Sequence, residues 1–467
     1  MEGSPEERTV TKLHTLALLA LAAACTPKDD TAGDTAVQSL IPDLPTGGCE
    51  MASYDWVPLD QVGDVVDADE GDDLEVGSAA IDFLLASYGV TQFSPLPHDV
   101  RGWRIRYVTQ DKGQPVEATM VLTLPDVDDG SSFPIVVWPH GTSGFTDECA
   151  PSAGGMTESG FGIIFASMGY AVVAPDYLGM NGFGEPSGML HPYLVPEATA
   201  VATLDAVRAA IRFVEDEQPG AAMNADQTIF WGGSEGGFAA LWAERYQPRY
   251  LPEVTTVATV ALVPPTDLTA IALQGLAQPI DASGGLVAAL TAQHSWFQAP
   301  GHSLNEVLLD SIAEALPQEM MESCNDFPSV DSAETLEEIF QPALLAQAAT
   351  GSIEGFDPWA CYLGMADLAE TVIPRDIDPP VLIQVSGADQ LVVASTVRDS
   401  IPGLCEDGYR IDYIECEGLD HTDGAVYSLP YQIEWVAERL AGTPLPEVET
   451  CVVDAPIDCE QFLDLEE

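Results

Sequence analysis

The sequence predicts an α/β fold with a mostly parallel sheet, helices on both sides of the sheet and an inserted helical cap. Strand-like apolar runs alternate with helical patterns over residues 101–265, which is typical of parallel strands joined by right-handed crossovers. The alternation then stops for more than a hundred helical, apolar residues. Strand-like apolar patterns return near residue 379, so we expect the helical stretch to be an insertion between strands of one sheet.

The elements follow in a simple order. RIRYVTQ and PVEATMVLTLP alternate around DKGQ and predict a hairpin. Strands are then predicted in SFPIVVWPHG, GYAVVAPDYLG, QTIFWGGS and TVATVALVPP, with helices in TAVATLDAVRAAIRFVEDEQ and EGGFAALWAERY. The last strands are PPVLIQVSG and YRIDYIECEG, and SLPYQIEWVAERLAG is the closing helix.

Composition and the strand and helix patterns divide the chain into six predicted segments. They are a lipoprotein-like signal peptide (1–24), an acidic tether (25–75), the first part of the core (76–265), the helical cap (266–378), the second part of the core (379–442) and an acidic, cysteine-bearing tail (443–467). The tether is predicted because DDTAGDT and DADEGDDLE hold few large apolar residues.

The charge balance argues against some partners. Lys and Arg number 15 against 75 Asp and Glu, a net charge of −60. Nucleic acid is therefore not an expected partner, because phosphate contacts need a basic patch. An anionic membrane surface would repel the protein as well, so membrane attachment requires an anchor.

The N-terminal sequence indicates export. The apolar run LALLALAAA is too short to span a bilayer, and Cys25 follows it. LAAAC is similar to a bacterial lipoprotein signal, although its n-region is acidic and its leucine lies one place early. We expect lipidation at Cys25 and a membrane-anchored protein at the cell envelope or outer surface. A plain secretory signal and a buried core helix are the alternatives.

Removing Cys25 leaves eight of the nine cysteines, an even number that favours disulfides in an exported chain. Pairing of near neighbours is the simplest expectation: Cys405 with Cys416, Cys451 with Cys459, Cys324 with Cys361, and Cys49 with Cys149. No CxxC occurs, so no zinc site is expected. The predicted chemistry needs no metal and no organic cofactor.

Ser234 is the candidate nucleophile. It lies in a G-x-S-x-G motif between a predicted strand and a predicted helix, the context of a nucleophile elbow. Gly232 and Gly236 leave room for the sharp turn, and the helix offers its N-terminal amides to negative charge. An ordinary glycine-rich turn is the alternative interpretation.

A serine nucleophile needs a base and an orienting acid. Of the seven histidines, only His421 follows the last predicted strand, where the base belongs in the order Ser, acid, His. Asp389 lies at the carboxyl end of an apolar strand, where open α/β sheets place their sites. A turn aspartate and a surface histidine are the alternatives. The oxyanion hole is expected from the amides of Thr142, in PHGTSG, and Glu235.

Several motifs together resemble a known family. GTSG with CAPS, then GYAVVAPDYLG, HPYL, LDAVRAA, GGSEGG, GADQLV and DHTDG resemble, in order and spacing over about residues 95–442, the secretory lipase family of the α/β-hydrolases, which includes fungal lipase A-like enzymes. The resemblance implies a cap over an acyl site, a Ser234–Asp389–His421 triad, carboxylic-ester substrates and a structural role for Asp176. The lipoprotein-like start, the acidity and the cysteine-bearing tail depart from it.

The expected function is hydrolysis of small-molecule carboxylic esters, lipids included, outside the cytoplasm. Four cap aromatics are candidates to shelter an acyl chain, with ordinary packing as the alternative for each: Trp296, Phe297, Phe340 and Phe356. A serine peptidase of the same fold remains possible, because one triad cleaves both bonds. A catalytically silent surface lipoprotein that binds lipid is the other alternative.

Overall fold

The computed structural model describes residues 40–463 except 88, 89, 92, 155 and 219. The predicted signal peptide, Cys25 and the first part of the predicted tether lie outside the described residues, and so do the last four residues of the predicted tail. In the described part of the chain, no helix combines the length and hydropathy needed to cross a membrane.

The strands and helices alternate through most of the chain. The strands are β1 (Val65–Glu70), β2 (Val100–Asp111), β3 (Gln114–Pro125), β4 (Ser131–Val137), β5 (Ala171–Pro175), β6 (Ala221–Gly233), β7 (Thr256–Leu262), β8 (Pro380–Ser386) and β9 (Arg410–Cys416). The helices are α1 (Ser78–Ser87), α2 (Met156–Met168), α3 (Pro196–Glu217), α4 (Glu235–Tyr250), α5 (Leu268–Ala277), α6 (Asp281–Phe297), α7 (Asp310–Glu322), α8 (Pro328–Asp331), α9 (Pro342–Ala348), α10 (Trp359–Met365), α11 (Ala394–Glu406), α12 (Asp423–Tyr427) and α13 (Leu429–Leu440).

The strands form one sheet in the order β1-β2-β3-β5-β4-β6-β7-β8-β9. Every pair from β5 to β9 is parallel, whereas β1, β2 and β3 pair antiparallel at one side. The predicted hairpin is confirmed as β2 and β3, which close between Asp111 and Gln114. The predicted α/β fold with a mostly parallel sheet is therefore confirmed.

The core lies on both faces of this sheet. Successive strand side chains point to opposite faces, so Phe230 of β6 packs in one cluster while Ile229 and Trp231 pack in the other. The same alternation separates Leu382 of β8 from Ile383. Burial on both faces explains why the central strands read as continuous apolar runs.

The chain between β7 and β8 is helical and contains α5 to α10. Helix α5 begins after Asp267, whose side chain accepts a hydrogen bond from the Ala270 amide at 2.7 Å. In this stretch the described residues contain one isolated bridge, Leu308 with Phe340, and no strand. These helices supply the side chains that face the loops at the carboxyl ends of the strands.

The prediction of a tether is wrong for much of its length. Residues 65–70 form β1, an edge strand that pairs with β2 although its side chains are exposed. Trp56 is buried and donates from its indole to the Leu44 carbonyl at 3.0 Å. The few large apolar residues of this segment are therefore enough to hold it on the core, because its backbone also pairs with the sheet.

The four near-neighbour disulfide pairings are also wrong, although four disulfides do form. The observed pairs are Cys49–Cys361, Cys149–Cys324, Cys405–Cys451 and Cys416–Cys459. The predicted tail runs beside β9, where the Cys451 amide donates to Ile411 and the Ile457 amide donates to Glu415. Its two cysteines therefore meet separate elements of the core rather than each other.

Candidate active site

Ser234 stands on a strained turn between β6 and α4. Its φ is 57° and its ψ is −121°, a backbone conformation that is unfavourable for a residue with a side chain. The Ser234 amide donates to the Leu262 carbonyl at 2.8 Å, and its carbonyl accepts from Phe238 at 3.0 Å. The turn is thus fastened to the neighbouring strand on one side and to the helix on the other.

Both elbow glycines have a steric reason. A Cβ added at Gly236 would lie 2.1 Å from the Pro139 carbonyl oxygen. A Cβ at Gly232 would lie 2.3 Å from the Gly236 oxygen and 2.8 Å from the same Pro139 oxygen. These distances are far below van der Waals contact. The glycines therefore let the loop after β4 lie directly against the serine turn.

The structure brings His421 and Asp389 to Ser234. The Ser234 Oγ is 2.9 Å from His421 Nε2, and His421 Nδ1 is 2.6 Å from Asp389 Oδ2. Asp389 follows β8, and His421 follows β9, so all three residues lie at the carboxyl ends of parallel strands. This geometry can deliver the serine proton to an imidazole that a carboxylate orients.

Asp389 is held rigidly. Its side chain is fully buried, and its Oδ1 accepts from the amides of Leu391 at 2.8 Å and Val392 at 2.9 Å. Only Oδ2 is left to face the His421 ring. By contrast, Asp420 is exposed, and the amides of Thr422 and Asp423 lower the pKa of its carboxyl. Asp420 therefore caps its own turn, as its sequence position next to the histidine suggests.

The two predicted oxyanion amides flank the serine. Thr142 and Ser234 line one cavity, and a Cβ added at Gly141 would lie 3.9 Å from the Ser234 Cβ. In the described part of the chain, neither the Thr142 amide nor the Glu235 amide has a hydrogen-bond acceptor. Both donors are thus available to a ligand atom at the serine.

His191 lies in this site, although the sequence gives no sign of it. His191 Nε2 is 2.7 Å from Glu235 Oε1, and His191 Nδ1 is 2.8 Å from the Leu178 carbonyl oxygen. Tyr193, two residues further on, accepts a hydrogen bond from Thr142 Oγ1 at 3.1 Å. The HPYL motif is visible in the sequence, but no local pattern indicates that its histidine contacts Glu235, which is 44 positions away.

Two cavities meet at Ser234. The one we call the histidine-side cavity has a volume of about 290 Å³ and is lined by residues that include Ser234, His421, Thr142, Trp138 and Val426. The one we call the narrow cavity has a volume of about 40 Å³. Its walls include Ser234, Glu235, Leu268, Ala272, Leu286 and Leu391.

The prediction that cap aromatics shelter an acyl chain is wrong for both cavities. None of the four candidates contributes to their walls within the described residues; Trp296 and Phe297 instead line a separate cavity beside Trp242. The walls of the narrow cavity include aliphatic residues of α5 and α6 instead. Trp296 and Phe297 contact each other edge to face, and Phe297 stacks on Tyr362 with ring centroids 4.6 Å apart.

Asp176 lies apart from the serine and has structural partners. It accepts from Thr119 Oγ1 at 2.6 Å and from the Ser152 amide at 3.0 Å, and burial raises the pKa of its carboxyl. Among the residues that the structure describes, no group of three or more His, Cys, Asp or Glu side chains is arranged to hold a metal ion.

Comparison with known proteins relates the chain to lipases. Residues 163–447 match the model of the family described as secretory lipase. The chain is 24% identical to the "Probable inactive lipase MT1628" of Mycobacterium tuberculosis over 378 residues, covering 75% of this chain and 76% of that protein. It is 23% identical to Lipase 6 of Candida albicans over 390 residues, covering 75% of each.

Solved structures show the same fold. The rice cell wall degrading esterase LipA from Xanthomonas oryzae superposes with a TM-score of 0.67 at 20% identity, covering 82% of this chain and 99% of that one. Candida antarctica lipase A in its closed state superposes with a TM-score of 0.58 at 16% identity, covering 86% and 89%. At these identities the likeness concerns the fold.

Proposed function

Because the chain belongs to the secretory lipase family, we propose that it is a serine hydrolase that cleaves carboxylic esters through Ser234, His421 and Asp389. The observation that carries the proposal is the continuous contact from Ser234 Oγ to His421 Nε2 (2.9 Å) and from His421 Nδ1 to Asp389 Oδ2 (2.6 Å). The strained serine backbone supports it, because such strain is concentrated at functional sites.

In the acylation step, His421 Nε2 takes the proton of Ser234 as Oγ attacks the ester carbonyl. Asp389 keeps the His421 Nδ1 proton in place and stabilises the imidazolium that forms. The amides of Thr142 and Glu235 donate to the oxyanion, which is where a serine hydrolase gains much of its rate. The alcohol leaves with the proton from His421.

In the deacylation step, water enters the place of the alcohol. His421 removes a proton from the water, which attacks the acyl carbon, and the proton then returns to Ser234 Oγ. The product is a carboxylic acid, and Ser234 is regenerated. The histidine-side cavity supports this step because it joins Ser234 and His421 to a wider space.

The two cavities divide the substrate between them. The leaving oxygen must lie near His421 to be protonated, so the alcohol occupies the histidine-side cavity. The acyl group then enters the narrow cavity, which His421 does not line. The narrow cavity is also the smaller of the two, at about 40 Å³ against about 290 Å³ for the histidine-side cavity. The preferred acyl group is therefore short.

The test is hydrolysis of p-nitrophenyl esters from acetate to palmitate by the purified full chain and by Ser234→Ala. We expect the highest kcat/KM between acetate and butyrate, and a loss of roughly 10⁶-fold in the variant. Ester cleavage that survives in Ser234→Ala would contradict the nucleophile. An optimum at palmitate would contradict the assignment of the narrow cavity.

A second candidate function is lipid binding without catalysis. The observation in its favour is that one similar protein is named as a probable inactive lipase. A fluorophosphonate probe separates the two, because it reacts covalently with an activated serine. Labelling that disappears in Ser234→Ala supports the hydrolase, and a folded chain that takes no label supports the binder. A peptidase of the same fold would cleave peptide bonds as well as p-nitrophenyl esters, whereas the proposed esterase leaves peptides intact.

Export with a lipid anchor at Cys25 completes the proposal. The family is described as secretory, and LAAAC is similar to a lipoprotein signal. Metabolic labelling with a radioactive fatty acid should mark the full chain and should fail for Cys25→Ser. Labelling that persists in the variant would contradict the anchor, and an unlabelled protein in the medium would favour simple secretion.

A further inference from the structure

Glu235 places a carboxyl group where an oxyanion is expected to form. It directly follows Ser234, its side chain is buried, and both residues line the narrow cavity. Its Oε2 has no hydrogen-bond partner among the described residues. A full negative charge there would repel the negative charge that develops on the substrate, and water could not screen it.

His191 faces this carboxyl and offers one proton. The Leu178 carbonyl can only accept, so the proton of His191 Nδ1 donates to it at 2.8 Å. A second proton lies in the 2.7 Å contact between His191 Nε2 and Glu235 Oε1. The pair is then either imidazolium with carboxylate or imidazole with carboxylic acid. In both forms its net charge is zero.

The surroundings keep this arrangement in place. The His191 ring stacks on the Tyr177 ring with centroids 5.5 Å apart and an interplanar angle of 20°. Tyr193 continues the segment and accepts from the Thr142 hydroxyl. Burial raises the pKa of the Tyr193 phenol, and the nearby Glu235 adds to the shift, so Tyr193 stays neutral beside the pair.

We propose that His191 is a positioning residue that neutralises Glu235, and that the segment from His191 to Tyr193 holds both halves of the oxyanion hole. His191 acts through Glu235, whose amide is one donor, and Tyr193 acts through Thr142, whose amide is the other. The proposal rests on the proposed ester hydrolysis. It explains how an acidic residue is accommodated directly after the nucleophile.

The test is a double-mutant cycle with His191→Gln, Glu235→Gln and the double variant. Glutamine at 191 can still donate a hydrogen bond but carries no charge. We expect His191→Gln to lower kcat for p-nitrophenyl butyrate about 100-fold, as loss of an oxyanion donor does, with KM changed less than about threefold. The kcat of the double variant should lie within about threefold of the kcat of Glu235→Gln, because the double variant has no carboxyl group at position 235 to neutralise.

Arg375→Gln is the matched control. It removes the cation from Glu244, a second fully buried carboxylate of the same helix, where Arg375 Nη2 is 2.5 Å from Glu244 Oε1. We expect a lower melting temperature and an unchanged kcat per fluorophosphonate-labelled Ser234. The control therefore separates loss of stability from loss of oxyanion stabilisation.

The outcomes are distinct. A wild-type kcat in His191→Gln overturns the inference. The inference is also overturned if adding His191→Gln to Glu235→Gln lowers kcat by the same factor as His191→Gln lowers it in the wild-type protein. If His191→Gln does not fold, a folded double variant supports the inference and an unfolded one overturns it. An unchanged chain that neither hydrolyses esters nor labels at Ser234 overturns the proposed function and this inference together.

Discussion

The two ends of helix α4 hold charge in different ways. At the N-terminal end, Glu235 shares a proton with an imidazole and leaves its amide free. Nine residues on, Glu244 lies fully buried against Arg375, and the Arg245 guanidinium is 2.5 Å from Asp407. A guanidinium stays charged at any accessible pH, so in the C-terminal half the positive partner of each pair does not depend on pH.

The difference separates anchoring from chemistry. The Glu244–Arg375 pair joins α4 to the segment that returns from the inserted helices to β8, and the Arg245–Asp407 pair joins α4 to the turn between α11 and β9. Arg375 also donates to the Pro379 and Gly408 carbonyls. The N-terminal end carries the strained Ser234 and the free amides. Strain persists only when the surrounding structure enforces it, and here the backbone hydrogen bonds of Ser234 to Leu262 and from Phe238 hold the turn.

The largest expected effect is at the active end, from Asp389→Asn. The Asn oxygen can replace Oδ1 as acceptor from Leu391 and Val392, which leaves its amide NH₂ facing His421 Nδ1. His421 must then carry its proton on Nε2 and cannot accept from Ser234. We expect kcat to fall by roughly 10⁴-fold with little change in melting temperature. Wild-type kcat in this variant would disprove Asp389 as the orienting acid.

Arg375→Gln tests the anchored end. Removing Arg375 takes away the main cation that faces the buried Glu244, so the free energy of unfolding should fall by about 3–5 kcal/mol. Chemical denaturation of the full chain measures the change. Arg398→Gln is the matched comparison, because Arg398 is 40% exposed and its pair with Glu415 should contribute less than about 1 kcal/mol. Equal losses in both variants would contradict the comparison.

Gly236→Ala tests how tightly the active end is packed. The new Cβ would collide with the Pro139 carbonyl, so the loop that carries Thr142 must move away from Ser234. A displacement of about 1 Å should lower kcat/KM about 100-fold. Gly284→Ala, an exposed position in α6 with no atom within 4 Å of the added Cβ, should instead raise stability by about 0.5–1 kcal/mol. Unchanged kcat/KM in Gly236→Ala would refute the close contact.

The last comparison concerns a third carboxyl beside α4. Glu197 and Tyr246 line the same cavity, and burial raises the pKa of Glu197 to about 8. The folded chain therefore binds a proton that the unfolded chain releases near pH 4.5, so this contribution to stability is present below pH 4.5 and is lost as the pH rises through 8. Melting temperatures should fall more steeply from pH 5 to 8 in the unchanged chain than in Glu197→Gln. If melting temperature falls with pH by the same amount in both proteins, the raised pKa of Glu197 is contradicted.

The sequence by itself determined the parts that depend on local pattern. Central strands buried on both faces gave the continuous apolar runs, and apolar residues at helical spacing marked α3. The candidate nucleophile, base and acid followed from their places after strands, since parallel strands bring their carboxyl ends to one edge. Their catalytic roles remain predictions, although the structure places the three side chains in contact.

Only the tertiary structure decided which distant residues meet. The disulfide partners are 43 to 312 positions apart, and His191 is 44 positions from Glu235. Residues 40–75 have a tether-like composition, yet they pack on the core. The physical reason is common to these cases. Local periodicity reports which face of an element is buried, whereas partner choice depends on how the whole chain closes its loops around the core.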